Sequence, residues 1–152
     1  MSLKIGTKAP DFTLPSTSGS DFKLSDDMNG KPCVIYFYPK DFTPGCTKEA
    51  CSFRDSHQVF GSLGIEVFGI SKDGIETHKK FKASQNLPFE LLADVSGEVC
   101  KSYKALVPLL GMPKRVTYLL DAEHKIVSVY DSMFDSLGHI KKMIEKLKEG
   151  TA

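Results

Sequence analysis

Two hydrophobic patterns alternate along this chain. Short, continuous apolar runs bounded by glycine, proline or polar residues predict strands. They fall at Cys33–Tyr38, Glu66–Ile70, Glu90–Ala93, Val116–Leu120 and Ile126–Tyr130. Between them the apolar spacing becomes helical, which predicts helices over about Cys46–Phe60, Glu76–Gln85 and Gly97–Leu106. A last helix is expected over Ser136–Lys148, where Ile140, Met143, Ile144 and Leu147 follow the i, i+3, i+4, i+7 rule. The first thirty residues are turn-rich, with Pro10, Pro15, Ser18-Gly19 and Asn29-Gly30; Phe12–Leu14 and Phe22–Leu24 read as the arms of a hairpin. Alternating strands and helices argue for an α/β sheet with helices on both faces. The link Asp121–Lys125 reads as a hairpin, so the sheet should be mixed.

The length of 152 residues suits one domain, 1–152, with a real core. A hydrophobic share of 41% with 26% charged residues fits a globular protein, and a net charge of +1 argues against a broad nucleic-acid or anionic-membrane footprint. The basic clusters Lys79-Lys80-Phe81-Lys82 and Lys141-Lys142 lie on helical patterns and read as solvated faces. The N-terminus lacks the apolar core of a signal peptide, and no run of about 18 apolar residues occurs, so no membrane span is expected. These features favour the cytoplasm, where thiols stay reduced; the cysteines at 33, 46, 51 and 100 then suggest redox chemistry rather than a disulfide framework. Their spacing contains no C-x-x-C and no zinc-finger pairing, which argues against a metal site.

Most of the chemistry gathers where the strand ending at Tyr38 meets the helix containing Cys46. A cysteine in a first helical turn sits among unpaired N–H groups at the positive end of the dipole, which favours the nucleophilic thiolate. A free cysteine is most often a small buried apolar side chain. Here Pro44 and Gly45 precede it, Thr43 lies three residues before it and Cys51 five after it, which points to reactivity instead. Cys46, Ala50, Phe53, His57 and Phe60 form one helical stripe facing the core. Cys51 lies about 140° further round, with its Cα roughly 8–9 Å from that of Cys46 in an intact helix. A disulfide needs less than about 7 Å, so bonding these two would require the first turns to unwind.

The string Pro39-x-x-x-Thr43-x-x-Cys46 matches the P-x-x-x-T-x-x-C signature of the peroxiredoxins. The longer run Tyr38–Asp55 closely resembles the bacterioferritin comigratory protein, or peroxiredoxin Q, branch. Further matching landmarks are Gly6-x-x-Ala9-Pro10-Asp11-Phe12, Gly69–Asp73, Leu91–Asp94 and Arg115–Asp121. The resemblance implies a thioredoxin-like fold and a thiol-dependent peroxidase acting on hydrogen peroxide and organic hydroperoxides. It implies Cys46 as the peroxidatic cysteine, Cys51 as the resolving cysteine of an intramolecular disulfide, and thioredoxin or a similar dithiol as reductant. Thr43 would hydrogen-bond peroxide and thiolate, Pro39 would shield the site from water, and Arg115 would activate the thiol and bind peroxide oxygen. No cofactor is needed, because both electron pairs pass through sulfur. Intramolecular resolution needs no second subunit, so a monomer is expected.

Beside these roles stand plainer readings. Thr43 alone reads as a helix cap and Arg115 alone as a surface ion pair. Glu49 resembles the family position that orients the arginine, or simply compensates the helix dipole. Cys33 reads as core, and Cys100 as half exposed and a weaker candidate for resolution. His57 reads as packed on the core stripe; His78, His124 and His139 read as exposed. Two other functions share these features. A thioredoxin-like disulfide oxidoreductase would want a cysteine where Thr43 stands, and a peroxide sensor would use the same sulfenic acid as a signal.

Overall fold

A continuous apolar run needs cover on both faces, and Cys33–Phe37 receives it: all five residues are buried. The computed structural model describes residues 2–150. In chain order the elements are β1 (Thr13–Pro15), β2 (Asp21–Lys23), α1 (Leu24–Asp27), β3 (Cys33–Phe37), α2 (Pro44–Asp55), α3 (His57–Ser62) and β4 (Glu66–Ser71). Then follow α4 (Ile75–Gln85), β5 (Glu90–Ala93), α5 (Glu98–Ser102), β6 (Val116–Leu120), β7 (Ile126–Asp131) and α6 (Ser136–Gly150). The main sheet has the order β5-β4-β3-β6-β7, and β1 and β2 form the separate antiparallel hairpin. β3, β4 and β5 are parallel, while β6 and β7 are antiparallel, so the sheet is mixed as the Asp121–Lys125 link suggested.

Period-two alternation along β3 feeds two cores. Val34, Tyr36 and Tyr38 pack with Cys46, Ala50 and Phe53 of α2, Phe81 of α4, and Ile140 and Met143 of α6. Cys33, Ile35 and Phe37 face the other way, against Phe12, Phe22, Cys100 and Tyr103. Tyr36 pairs with Gly69 in the β3–β4 register, and a Cβ at 69 would come within 2.8 Å of the Tyr36 ring. That glycine is required by the close approach of the ring.

Several expectations need correction. The helix drawn over 46–60 begins at Pro44 and breaks at Ser56 into α2 and α3. His57 therefore opens a new helix and is only half-buried, while Phe60 remains in the core. The helix drawn over 97–106 is only Glu98–Ser102, because Lys104 turns left-handed with φ 54° and Ala105 N–H closes back on the Cys100 carbonyl at 2.7 Å. Cys100 is fully buried, not half exposed. His78, His124 and His139 are likewise buried, 0%, 7% and 0% exposed. Each lies beside a backbone carbonyl that is not its own neighbour: Leu92 for His78 (2.9 Å), Met28 for His124 (2.8 Å) and Ser132 for His139 (2.8 Å). Tertiary partners of this kind leave no periodic trace in a sequence.

Candidate active site

β3 delivers the chain to one edge of the α2 face, and Tyr38–Thr43 turn it into the helix. Phe42 adopts φ 65°, a left-handed conformation uncommon for an aromatic residue, and its ring meets Phe81 edge-on at 5.1 Å. Thr43 is the N-cap residue in extended conformation, with its hydroxyl donating to the Lys40 carbonyl at 2.7 Å. Pro44 follows at the first helical position, where a missing N–H costs nothing and its fixed φ suits the helix. Cys46 is thus the third helical residue, within the first turn and 1% exposed. Glu49 stands one turn further on, in the second turn.

Arg115, immediately before β6, reaches across to this helix. Its Nε donates to the Met133 carbonyl at 2.9 Å, one terminal nitrogen to Glu49 Oε1 at 2.8 Å, and the other to Cys46 Sγ at 3.3 Å. The planar fork spans both acceptors at once, which a lysine could not do. Burial works against its charge, but the Glu49 carboxylate and the Cys46 sulfur together hold the Arg115 pKa above the ordinary arginine value. Glu49 is completely buried. Burial, only partly offset by Arg115, pushes its pKa up to about 8. Gly45 makes room for this packing, since a Cβ there would lie 3.0 Å from the Arg115 terminal nitrogen. Ser136, at the start of α6, donates to the Gly45 carbonyl at 3.0 Å and ties the two helix N-termini together.

A sulfur in the first turn of a helix, bonded by a buried guanidinium, is placed where a thiolate could attack an electrophilic atom. Known proteins say which family builds it. The model of the AhpC/TSA family matches residues 5–129. Peroxiredoxin Bcp of Bacillus subtilis is 42% identical over 158 residues, 96% of this chain and 100% of the relative. The chain belongs to the AhpC/TSA family, on its Bcp/peroxiredoxin Q branch. Among solved structures, BcpB of Mycobacterium tuberculosis superimposes with a TM-score of 0.90 at 36% identity, covering 97% of both chains. The bacterioferritin comigratory protein of Xanthomonas campestris, studied for its alkyl peroxide reduction activity, gives 0.84 at 28% identity over 93% of this chain and 92% of its own. The fold is therefore the thioredoxin-like peroxiredoxin fold, and a peroxiredoxin is a thiol-dependent peroxidase.

In this peroxiredoxin the residues singled out by sequence do not all meet. Cys46, Arg115 and Glu49 are bonded together, whereas Thr43 and Pro39 flank them in the loop. Pro39 is half-buried and lines a cleft of about 300 Å³ with Lys72, Leu110, Met112 and Pro113. Cys51 is half-buried on the same helix, its thiol donating to Gln85 Oε1 at 3.3 Å, while Arg54 donates to the Gln85 carbonyl at 2.7 Å. All four cysteines are free thiols. Burial, reinforced by Glu66, raises the Cys33 pKa to about 12. Burial and the Asp94 carboxylate push Cys100 up further still. Neither suits nucleophilic chemistry.

Sequence reasoning missed one cluster. Buried Asp41 accepts from the Tyr38 hydroxyl at 2.5 Å and meets His78 Nδ1 at 2.6 Å, while its own N–H donates to Asp73 at 2.9 Å. His78 Nε2 faces the Leu92 carbonyl at 2.9 Å, so the loop carrying Pro39 and Thr43 is pinned to both α4 and β5. A charged residue inside the signature string was the available signal, but its partner lies 37 residues away. No helix among the described residues is long and apolar enough to cross a membrane.

Proposed function

We propose that this peroxiredoxin reduces hydrogen peroxide and organic hydroperoxides through Cys46, resolves the product as an intramolecular Cys46–Cys51 disulfide, and is recycled by thioredoxin or a similar dithiol. The observation that carries the reading is the Arg115 fork, bonded to Cys46 Sγ and Glu49 at once. The Cys46 thiolate attacks the terminal peroxide oxygen, forming S–O and breaking O–O, and leaves a sulfenic acid. Negative charge grows on the departing oxygen, where the Arg115 guanidinium and the Thr43 hydroxyl, released from Lys40, act as donors. Glu49 fixes the arginine plane. Pro39 and the loop around it keep water from the sulfur. Exposed Leu109 and Leu110 and the side chain of Met112 beside the cleft offer an apolar rest for an alkyl hydroperoxide tail, the substrate class studied for the Xanthomonas campestris relative.

Resolution requires α2 to open, because Cys46 and Cys51 share an unbroken helix. Five residues of helix separate their Cα atoms by roughly 8–9 Å, beyond disulfide reach. Opening frees Gly45 from Ser136 and Cys51 from Gln85, and lets Cys51 reach the sulfenic sulfur and expel water. Cys33 and Cys100 take no part. Both cysteines of the pair belong to one chain, so a monomer suffices, and reduced thiols suit an antioxidant role in the cytoplasm.

The test is peroxide consumption coupled to thioredoxin, thioredoxin reductase and NADPH. Wild type turns over, and Cys46→Ser and Cys51→Ser both stop. Full turnover in Cys51→Ser would move resolution to an external thiol. An inert wild type that still exchanges disulfides would favour the oxidoreductase reading.

A further inference from the structure

One guanidinium serves two acids in this site. Arg115 bonds Cys46 Sγ at 3.3 Å and Glu49 Oε1 at 2.8 Å, and the two acids are 1% and 0% exposed. With a thiolate and a carboxylate together, the pocket holds two negative charges against one positive, with little water to screen the excess.

A stray oxygen points to the remedy. Glu49 Oε2 is buried without a hydrogen-bond partner, 3.6 Å from Nδ1 of His139. A bare carboxylate oxygen is costly there, whereas a carboxylic O–H would have an acceptor to aim at. His139 is itself fixed. Its Nε2 faces the Ser132 carbonyl at 2.8 Å, which can only accept, so Nε2 carries the ring proton. Nδ1 is then a single lone pair: it accepts from the Thr117 hydroxyl at 2.8 Å, and a proton on Oε2, 3.6 Å away, would displace that hydroxyl from it. The Tyr130 ring closes the pocket edge-on at 4.7 Å.

We propose that Glu49 carries a proton while Cys46 is a thiolate and sheds it when the sulfur becomes neutral, with His139 as the positioning residue whose Nδ1 receives that O–H. The inference rests on Cys46 being the peroxide-reducing sulfur. Other groups face the pair. They are Arg115 and Thr117 at β6, Tyr36 on β3, Tyr130 and exposed Asp131 on β7, and exposed Asp135 before α6. Burial raises Glu49 to about 8, and burial together with the Arg115 charge lowers His139 to about 4, which leaves the shared proton on oxygen at neutral pH.

The atoms balance over one turn. Thiol plus carboxylate becomes thiolate plus carboxylic acid, with no change in pocket charge. Attack oxidises sulfur to sulfenic acid and reduces the hydroperoxide to an alkoxide, which takes up one proton and leaves as the alcohol. Glu49 loses one proton in the same turn, so the pocket again holds one anion and one cation.

Infrared difference spectroscopy tests this on Cys51→Ser, oxidised by one equivalent of hydrogen peroxide at neutral pH. The reduced protein is expected to show a protonated-carboxyl C=O stretch that disappears on oxidation and is absent when Glu49→Gln is added. His139→Leu should keep that band and move it to higher frequency, because the O–H loses its acceptor. His139→Phe serves the same purpose should the leucine variant fail to fold. A reduced, thiolate-containing protein without a band removable by Glu49→Gln would overturn the proposal and leave Glu49 a plain counter-ion. So would a band that survives oxidation, and an unmoved band in the His139 variants would remove His139 from it. If mass spectrometry of the same sample finds no oxygen added at Cys46, the peroxidase reading itself fails.

Discussion

Gly45 leaves almost no slack at the site. A methyl group there would sit 3.0 Å from the Arg115 nitrogen that bonds Cys46, while its other neighbours lie at 3.7 Å or more. Gly45→Ala should therefore displace the guanidinium and leave the helix intact, since alanine is the better helix former. The expected result is a fall of about tenfold to a hundredfold in the rate of Cys46 oxidation, the scale on which a misplaced catalytic group slows a reaction. Stopped-flow peroxide kinetics beside a denaturation curve would separate this from unfolding. Arg115→Lys tests the fork itself. A single ammonium cannot hold sulfur and carboxylate together, and a loss of about 100-fold is expected, comparable with removing one oxyanion donor. A rate within twofold of wild type would show that charge alone suffices. At this scale the sequence revealed Cys46, Arg115 and Glu49 through the family motif. It did not reveal His139 or His78, whose partners Thr117 and Asp41 come from distant segments.

In the proposed cycle, α2 holds Cys46 in place and then releases it. Its fastenings are individually weak: Ser136 to the Gly45 carbonyl, Gln85 to Cys51, and Gln85 again to Arg54. Removing one net hydrogen bond is worth about 1 kcal/mol. Ser136→Ala should thus favour the opened helix and speed disulfide formation after the sulfenic acid by about fivefold, as rapid-quench mass spectrometry would measure. A slower step would mean that Ser136 guides the opening rather than resisting it. Hydrophobic periodicity located the strands and most helices here because burial dictates it. It could not locate the Ser56 break or the Lys104 turn, where backbone hydrogen bonding decides the geometry while apolar spacing continues.

Across the whole molecule, two buried titrating groups act on stability in opposite directions. Glu49 has its pKa raised to about 8 in the folded state, so its proton stabilises the fold below the unfolded carboxylate pKa, and that contribution is lost as pH rises towards 8. His139 is depressed to about 4, so its neutral burial favours folding above the unfolded imidazole pKa and is lost as pH falls towards 4. The two oppose each other in mildly acid solution. Between neutrality and pH 8 only Glu49 acts among this pair; in Cys46→Ser, where no thiol gives up a proton as Glu49 gains one, unfolding free energy should fall with a slope of up to about 1.4 kcal/mol per pH unit. Urea unfolding should show that slope in Cys46→Ser and lose it when Glu49→Gln is added to that variant; an equal slope in both would place the titration elsewhere. The mixed sheet behind this behaviour was legible from the alternation of strands and helices and the Asp121–Lys125 hairpin. The burial of its charges was not, because a lone glutamate or histidine reads as surface until the opposing layer is known.

The central claim is that Cys46 takes the peroxide oxygen and Cys51 resolves it within one chain. The direct measurement is peptide mass mapping after one equivalent of hydrogen peroxide, on wild type and on Cys51→Ser treated with dimedone. The account predicts a Cys46–Cys51 disulfide inside a single chain for wild type, and a dimedone adduct on Cys46 alone for the variant. A disulfide involving Cys100, a cross-link between chains, or an adduct at another cysteine would contradict it.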